Sequence, residues 1–185
     1  MIVWLDGTYG VGKSSVASLL VEKLSVENIA VLHSDKFFID VMRKKLEGSI
    51  GGMRPQNNLL FISEFREKIE QCSLDNYLIV IVDMALTADE CKTGLYDYFL
   101  KKNIPNIHVI LQADSNTIIN RIEMNDGRDK LFAKEWLDYN IKYLENNYKT
   151  ATQINTDGKT VDEIAKEIVL LIQGIMEGVN DNEDI

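Results

Sequence analysis

The sequence predicts an α/β protein whose parallel sheet is covered by helices on both faces. Five short strand-like runs, four of them apolar, alternate along the chain with longer segments of helical period, the pattern of repeated strand–helix units. The first alternation is bridged by Gly7-Thr8-Tyr9-Gly10-Val11-Gly12-Lys13-Ser14, which fills every fixed position of the phosphate-binding pattern G-x-x-x-x-G-K-S/T. With 185 residues and 45% hydrophobic composition, the chain is long and apolar enough for one sizeable core. A single domain is expected over 1–178, with a flexible acidic tail over 179–185.

The first run, Ile2-Val3-Trp4-Leu5, reads as a buried strand, and Val16, Leu19, Leu20 and Leu24 after the motif repeat at helical spacing. Strand, loop and helix thus follow in the order a phosphate site needs. A polyphosphate carries too much charge for one side chain, so a glycine-permissive loop turns several N–H groups towards it, aided by the helix dipole. Gly7, Thr8, Tyr9, Gly10, Val11, Gly12, Lys13, Ser14 and Ser15 are therefore the expected nucleotide-binding residues. In this pattern Lys13 reaches the β- and γ-phosphates and the Ser14 hydroxyl ligates Mg²⁺.

Ile29 to His33 forms the second predicted strand, in which His33 is read as a residue without a chemical task. Asp35 follows, where a carboxylate points into the crevice at the strand ends. It is either a base towards an acceptor hydroxyl or the N-cap of the next helix. Arg43-Lys44-Lys45 closes that helix, either as a solvated basic end or with a role towards the substrate. Glu47 to Asn58, with its glycines and Pro55, is a flexible connection carrying Arg54. An amphipathic helix from Leu59 to Cys72 carries Arg66.

Tyr77 to Asp83 is the most apolar run and is expected centrally in the sheet. Its terminal Asp83 either holds Mg²⁺, directly or through water, or simply starts a turn. A helix is predicted over Thr87 to Lys102, capped by Thr87 with Glu90 three residues on. Strand four is Ile107 to Leu111, and the helix after it leads to a break at Asn125-Asp126-Gly127 flanked by Arg121 and Arg128. One long helix is expected from Leu131 to Tyr148, with Trp136, Tyr139 and Tyr143 as packing residues. Ala151 to Ile154 makes strand five, and the final helix, Val161 to Met176, sets Ile164, Ile168, Leu171, Ile172 and Ile175 on one face.

A net charge of -9 argues against general affinity for nucleic acid or an anionic membrane, while a local basic cleft remains able to bind phosphate. No apolar run approaches the ~20 residues that span a bilayer, and Met1 leads directly into a strand, so a cytoplasmic protein is expected. Cys72 and Cys91 lack metal-ligand spacing and a disulfide framework, and read as ordinary thiols.

Ile2-Val3-Trp4-Leu5-Asp6-Gly7 running into Gly10-x-Gly12-Lys13 resembles the tunicamycin-resistance-protein family, within the small P-loop kinases that include chloramphenicol phosphotransferase and shikimate kinase. Ile81-Val82-x-Met84, Thr87, Ile154-x-Thr156-Asp157 and Ala165 match the same family. Asp6 departs from it, since asparagine is common there, and Asp83 stands where proline can occur. The resemblance implies a three-layer α/β/α P-loop NTPase fold with strand order 2-3-1-4-5. It also implies ATP and Mg²⁺ as cofactors and transfer of the γ-phosphoryl group to a hydroxyl or phosphate of a small molecule.

On this resemblance Asp35 contacts the acceptor and can take its proton, and residues 36–72 form a substrate flap in which Arg54 and Arg66 are candidate anion ligands. Residues 121–130 form a lid, in which Arg121 serves the nucleotide and Arg128 closes over the transferring group as a catalytic residue beside Lys13. The loop from Asn155 to Gly158, with Asp157, lies beside the adenine. The expected partners are a nucleotide and a small acceptor, with the chain a monomer or homodimer. Two other functions stay open: a non-catalytic ATP-binding protein that sequesters a drug-like ligand, and a nucleoside monophosphate kinase, for which no arginine pair can be placed. A Ras-like GTPase is disfavoured by the missing Asn-Lys-x-Asp motif.

Overall fold

The computed structural model describes residues 1–45, 53–125 and 129–180, the last three of these by backbone alone. Arg128, residues 47–52 of the Glu47 to Asn58 connection and residues 181–185 of the tail lie outside the described residues.

Five strands form one sheet: β1 (Ile2–Asp6), β2 (Ile29–His33), β3 (Ile79–Asp83), β4 (Asn106–Gln112) and β5 (Thr152–Asn155). Their order is β2-β3-β1-β4-β5 and every pairing is parallel, as the resemblance implied. All five residues of β3 are buried, because helices cover both faces of a central parallel strand. The registers set Asp83 beside Leu5 on one side and His33 on the other, and set Trp4 beside His108.

The helices are α1 (Lys13–Lys23), α2 (Ser34–Lys45), α3 (Leu59–Leu74), α4 (Asp89–Cys91), α5 (Asp97–Lys101), α6 (Ser115–Glu123), α7 (Lys130–Glu135), α8 (Leu137–Asn147) and α9 (Val161–Asn180). Strand residues alternate between two cores. Val3, Leu5, Ile79, Ile81 and Val109 pack with Val16 and Leu20 of α1 and Ile164, Ile168 and Ile172 of α9. Ile2, Trp4, Val80 and Val82 pack with Phe61 and Phe65 of α3, Phe99 of α5 and Leu144 of α8. Cys72 and Cys91 are buried free thiols, and burial pushes the Cys91 thiol up to about 12. Among the described residues no helix is long and apolar enough to cross a membrane.

Two predicted helices are interrupted. The one expected over Thr87 to Lys102 starts at Asp89, after an extended Ala88, and passes through a π-helical Lys92–Tyr96 between α4 and α5. Thr87 is therefore not its cap. Its hydroxyl is buried and has no hydrogen-bond partner among the described residues. A Cβ on Gly94 in the π segment would stand 2.5 Å from Ile62 Cγ2, so glycine here permits the close approach of α3. The helix expected over Leu131 to Tyr148 breaks at Trp136 into α7 and α8.

Candidate functional site

The phosphate loop joins β1 to α1 through three glycines at positive φ, Gly7 (139°), Gly10 (78°) and Gly12 (107°). A Cβ on Gly7 would stand 2.6 Å from the backbone oxygen of Leu111, so the loop can lie close over β4 only with glycine there. Gly12 precedes α1 and no side chain caps it, which leaves the first N–H groups of the helix for a ligand. Lys13 folds back over the loop and donates from Nζ to the oxygens of Gly7 (2.9 Å) and Thr8 (3.0 Å). These are carbonyl partners that a phosphate would outcompete, because a charge-assisted bond to an anion is stronger.

Ser14 and Asp83 meet as the sequence suggested. Ser14 Oγ donates to Asp83 Oδ2 at 2.7 Å, and His33 Nδ1 lies 2.8 Å from the same oxygen. Burial pushes the Asp83 carboxyl up, but the His33 bond, the Lys13 charge and the Ser14 hydroxyl outweigh it and hold it below its ordinary value. The Asp83 bond raises His33 despite partial burial. Hydroxyl and carboxylate are hard oxygen donors of the kind Mg²⁺ takes, so the pair fits that ion. Among the described residues no cluster of three or more His, Cys, Asp or Glu could hold a metal, so the remaining ligands would be phosphate oxygens and water.

A cavity of about 360 Å³ runs from this loop between Arg121 and Lys159 to Val161 and Ile164. Arg121 fixes its wall, donating to Thr156 Oγ1 (2.9 Å), the Thr156 oxygen (3.1 Å) and the Val11 oxygen (3.5 Å). Asp157, expected beside the base, does not line this cavity. Its Oδ2 accepts the Asp114 N–H at 2.8 Å, and with Thr8, Asp114 and Asn155 it lines a neighbouring cavity of about 340 Å³, while Lys159 lines the cavity at the phosphate loop.

A second cavity, of about 630 Å³, is lined by Asp35, Lys36 and Arg43 of α2, by Met53 and Pro55, and by Asp129 and Phe132 at α7. Tyr9 and Ala133 line both cavities, so the two abut beside the phosphate loop. Helix α2 begins at Ser34, which puts Asp35 inside the first turn rather than at the cap position. Neither flap arginine lines either cavity. Arg54 stacks on Trp136, its Cζ 3.7 Å from the ring centroid, and Nη2 reaches Asn140 Oδ1 (3.3 Å) and the Thr87 oxygen (3.5 Å). Arg66 lies over the Tyr98 ring at 4.8 Å, between α3 and α5. The guanidinium faces of Arg54 and Arg66, the expected anion ligands, lie against these aromatic rings.

Under the loop lies a group that the sequence marked only as a departure. Asp6 is fully buried; its Oδ1 accepts the N–H of Gly7 (2.6 Å) and Leu86 (3.0 Å), and Oδ2 lies 2.9 Å from His108 Nε2. His108 Nδ1 is buried and has no hydrogen-bond partner among the described residues. His33 was also missed. The signal available was positional, since His33 and Asp83 each end a strand and those strands are neighbours.

No protein-family model matches the chain. A protein of Thermococcus kodakarensis named "Putative adenylate kinase" is 29% identical over 178 residues, which cover 94% of this chain and 86% of that protein. The tunicamycin resistance protein of Deinococcus radiodurans superposes with a TM-score of 0.70 at 20% identity, covering 92% of this chain and 94% of its own. Thymidylate kinase of Candida albicans gives 0.62 at 18%, covering 95% and 92%. Sheet order, phosphate loop and structural relatives agree that this chain has the fold of the small P-loop kinases.

Proposed function

We propose that the protein is an ATP- and Mg²⁺-dependent phosphotransferase that moves the γ-phosphoryl group to a hydroxyl or phosphate of a small molecule held beside Asp35. The observation that carries this reading is the pair of abutting cavities, one walled by the phosphate loop and one by Asp35, with Tyr9 and Ala133 common to both. A phosphoryl group transferred in line needs donor and acceptor side by side with water kept out. Bound Mg²⁺ would neutralise charge developing on the phosphate oxygens.

Lys13 leaves its carbonyl partners for the phosphates, and Ser14 with Asp83 holds the metal. Asp35 orients the acceptor and receives its proton when that acceptor is a hydroxyl. Arg121 and Lys159 flank the nucleotide, and Arg128 keeps its proposed role of closing over the transferring group. The relatives named as adenylate kinases favour a particular acceptor, AMP, which would make the protein a nucleoside monophosphate kinase.

ADP formation with Mg·ATP decides the matter, measured across AMP, other nucleoside monophosphates, sugars and hydroxylated antibiotics, with Asp35→Asn beside the wild type. Stimulation by one acceptor together with a phosphorylated product is the expected result. The same stimulation and product with Lys13→Ala would overturn the reading. ATP binding with every acceptor returned unchanged would favour a sequestering protein.

A further inference from the structure

The residues on either side of Arg54, Met53 and Pro55, line the cavity beside Asp35, whereas Arg54 itself does not. Its side chain crosses to the break between α7 and α8. There the guanidinium lies 3.7 Å from the Trp136 ring centroid and 5.4 Å from that of Tyr139. Nη2 also reaches Asn140 Oδ1, on a residue only 1% exposed, and the Thr87 oxygen in the segment after β3. Phe132 and Ala133 of α7, just before Trp136, line the same cavity from the other side. One side chain therefore joins both walls.

We infer that Arg54 is the positioning residue of the acceptor cavity, a clasp that fixes the Met53–Pro55 wall to the α7–α8 wall and so sets the opening an acceptor must fit. The inference rests on the acceptor site proposed above. Its chemistry is particular to arginine. The planar guanidinium stacks on the indole face while its edge donates two hydrogen bonds, and a lysine ammonium can do only part of this. Asn140 has the matching role, because its nearly buried amide oxygen is left without this donor once the guanidinium is removed. The nucleotide cavity has no share in these contacts, so clasp and nucleotide affinity are separable.

The test compares the full-length wild type with Arg54→Lys and Arg54→Ala, the latter with and without added millimolar guanidinium. Amide hydrogen exchange is read over 53–58, 129–140 and 7–15. Loss of the clasp is expected to speed exchange at 53–58 and 129–140 together, and to leave 7–15 unchanged. The affinity for a non-hydrolysable ATP analogue stays within about twofold, while KM for the productive acceptor of the panel rises about fivefold with little change in kcat. Guanidinium restores much of the Arg54→Ala loss.

Faster exchange confined to 53–58 would overturn the inference, as would an equal loss of ATP affinity or an unchanged acceptor KM. If the wild type phosphorylates no acceptor, the functional reading fails on its own. The paired change in exchange at the two walls still decides whether Arg54 joins them.

Discussion

His33 Nδ1 stands 2.8 Å from Asp83 Oδ2, the two residues facing each other across the ends of β2 and β3. Because the folded state raises the imidazole above its ordinary value, the protonated ring stabilises the fold fully below about pH 6.5, its unfolded value. That contribution is lost as pH rises through the folded value. The Asp83 carboxyl, held low, gives its share above its own unfolded value and loses it in acid. His33→Asn should therefore cost most stability in mildly acidic buffer, up to about 1 kcal/mol, since the ring is partly exposed, and little at alkaline pH. Melting curves of both proteins across pH check this. A constant difference at all pH values would contradict it.

Among the described residues Lys13 donates to two loop carbonyls, so its removal should leave the fold nearly intact while the phosphates lose their cation. Lys13→Ala is expected to lower turnover by about a hundredfold or more with a small change in melting temperature. ADP formation and thermal unfolding measured on the same preparation would separate the two effects.

Asp6 satisfies three donors from three segments, and Asp6→Ala strands them in a dry interior. The expected cost is about 3–5 kcal/mol, against about 1–3 for Asp6→Asn, whose amide oxygen can still accept from Gly7 and Leu86. Denaturant unfolding would rank them. Equal losses would show that the charge contributes nothing beyond a single acceptor oxygen.

Gly94→Ala would drive a methyl group into Ile62, with an expected loss of about 1–3 kcal/mol. Trimming the obstacle should relieve it, so Gly94→Ala combined with Ile62→Ala should be less damaging than the sum of the single losses. Strict additivity, again from denaturant unfolding, would mean the strain lies elsewhere.

The sheet was legible in the sequence because four of its strands are short apolar runs and the fifth follows in the same alternation with helices, and the phosphate loop because its chemistry tolerates few alternatives. Ser14 and Asp83 were legible as partners because Ser14 closes the phosphate motif after β1 and Asp83 ends the neighbouring β3, at the same end of the sheet. The breaks at Trp136 and around Gly94 were not, since both segments keep an unbroken helical period and the interruption comes from packing against distant residues. The stacking of Arg54 and Arg66 was not legible, because an arginine in a flap looks the same whether it meets an anion or an aromatic ring. Only the fold brings Trp136 and Tyr98 to them.

Asp83 spends one oxygen on two neighbours, Ser14 and His33, when no ligand is bound. A bare divalent ion arriving there must break both bonds and gains one carboxylate and one hydroxyl in return. An ion already chelated by a triphosphate brings most of its coordination shell with it and asks far less of the protein. On the proposed function, magnesium would therefore reach this pair in company with the nucleotide rather than ahead of it.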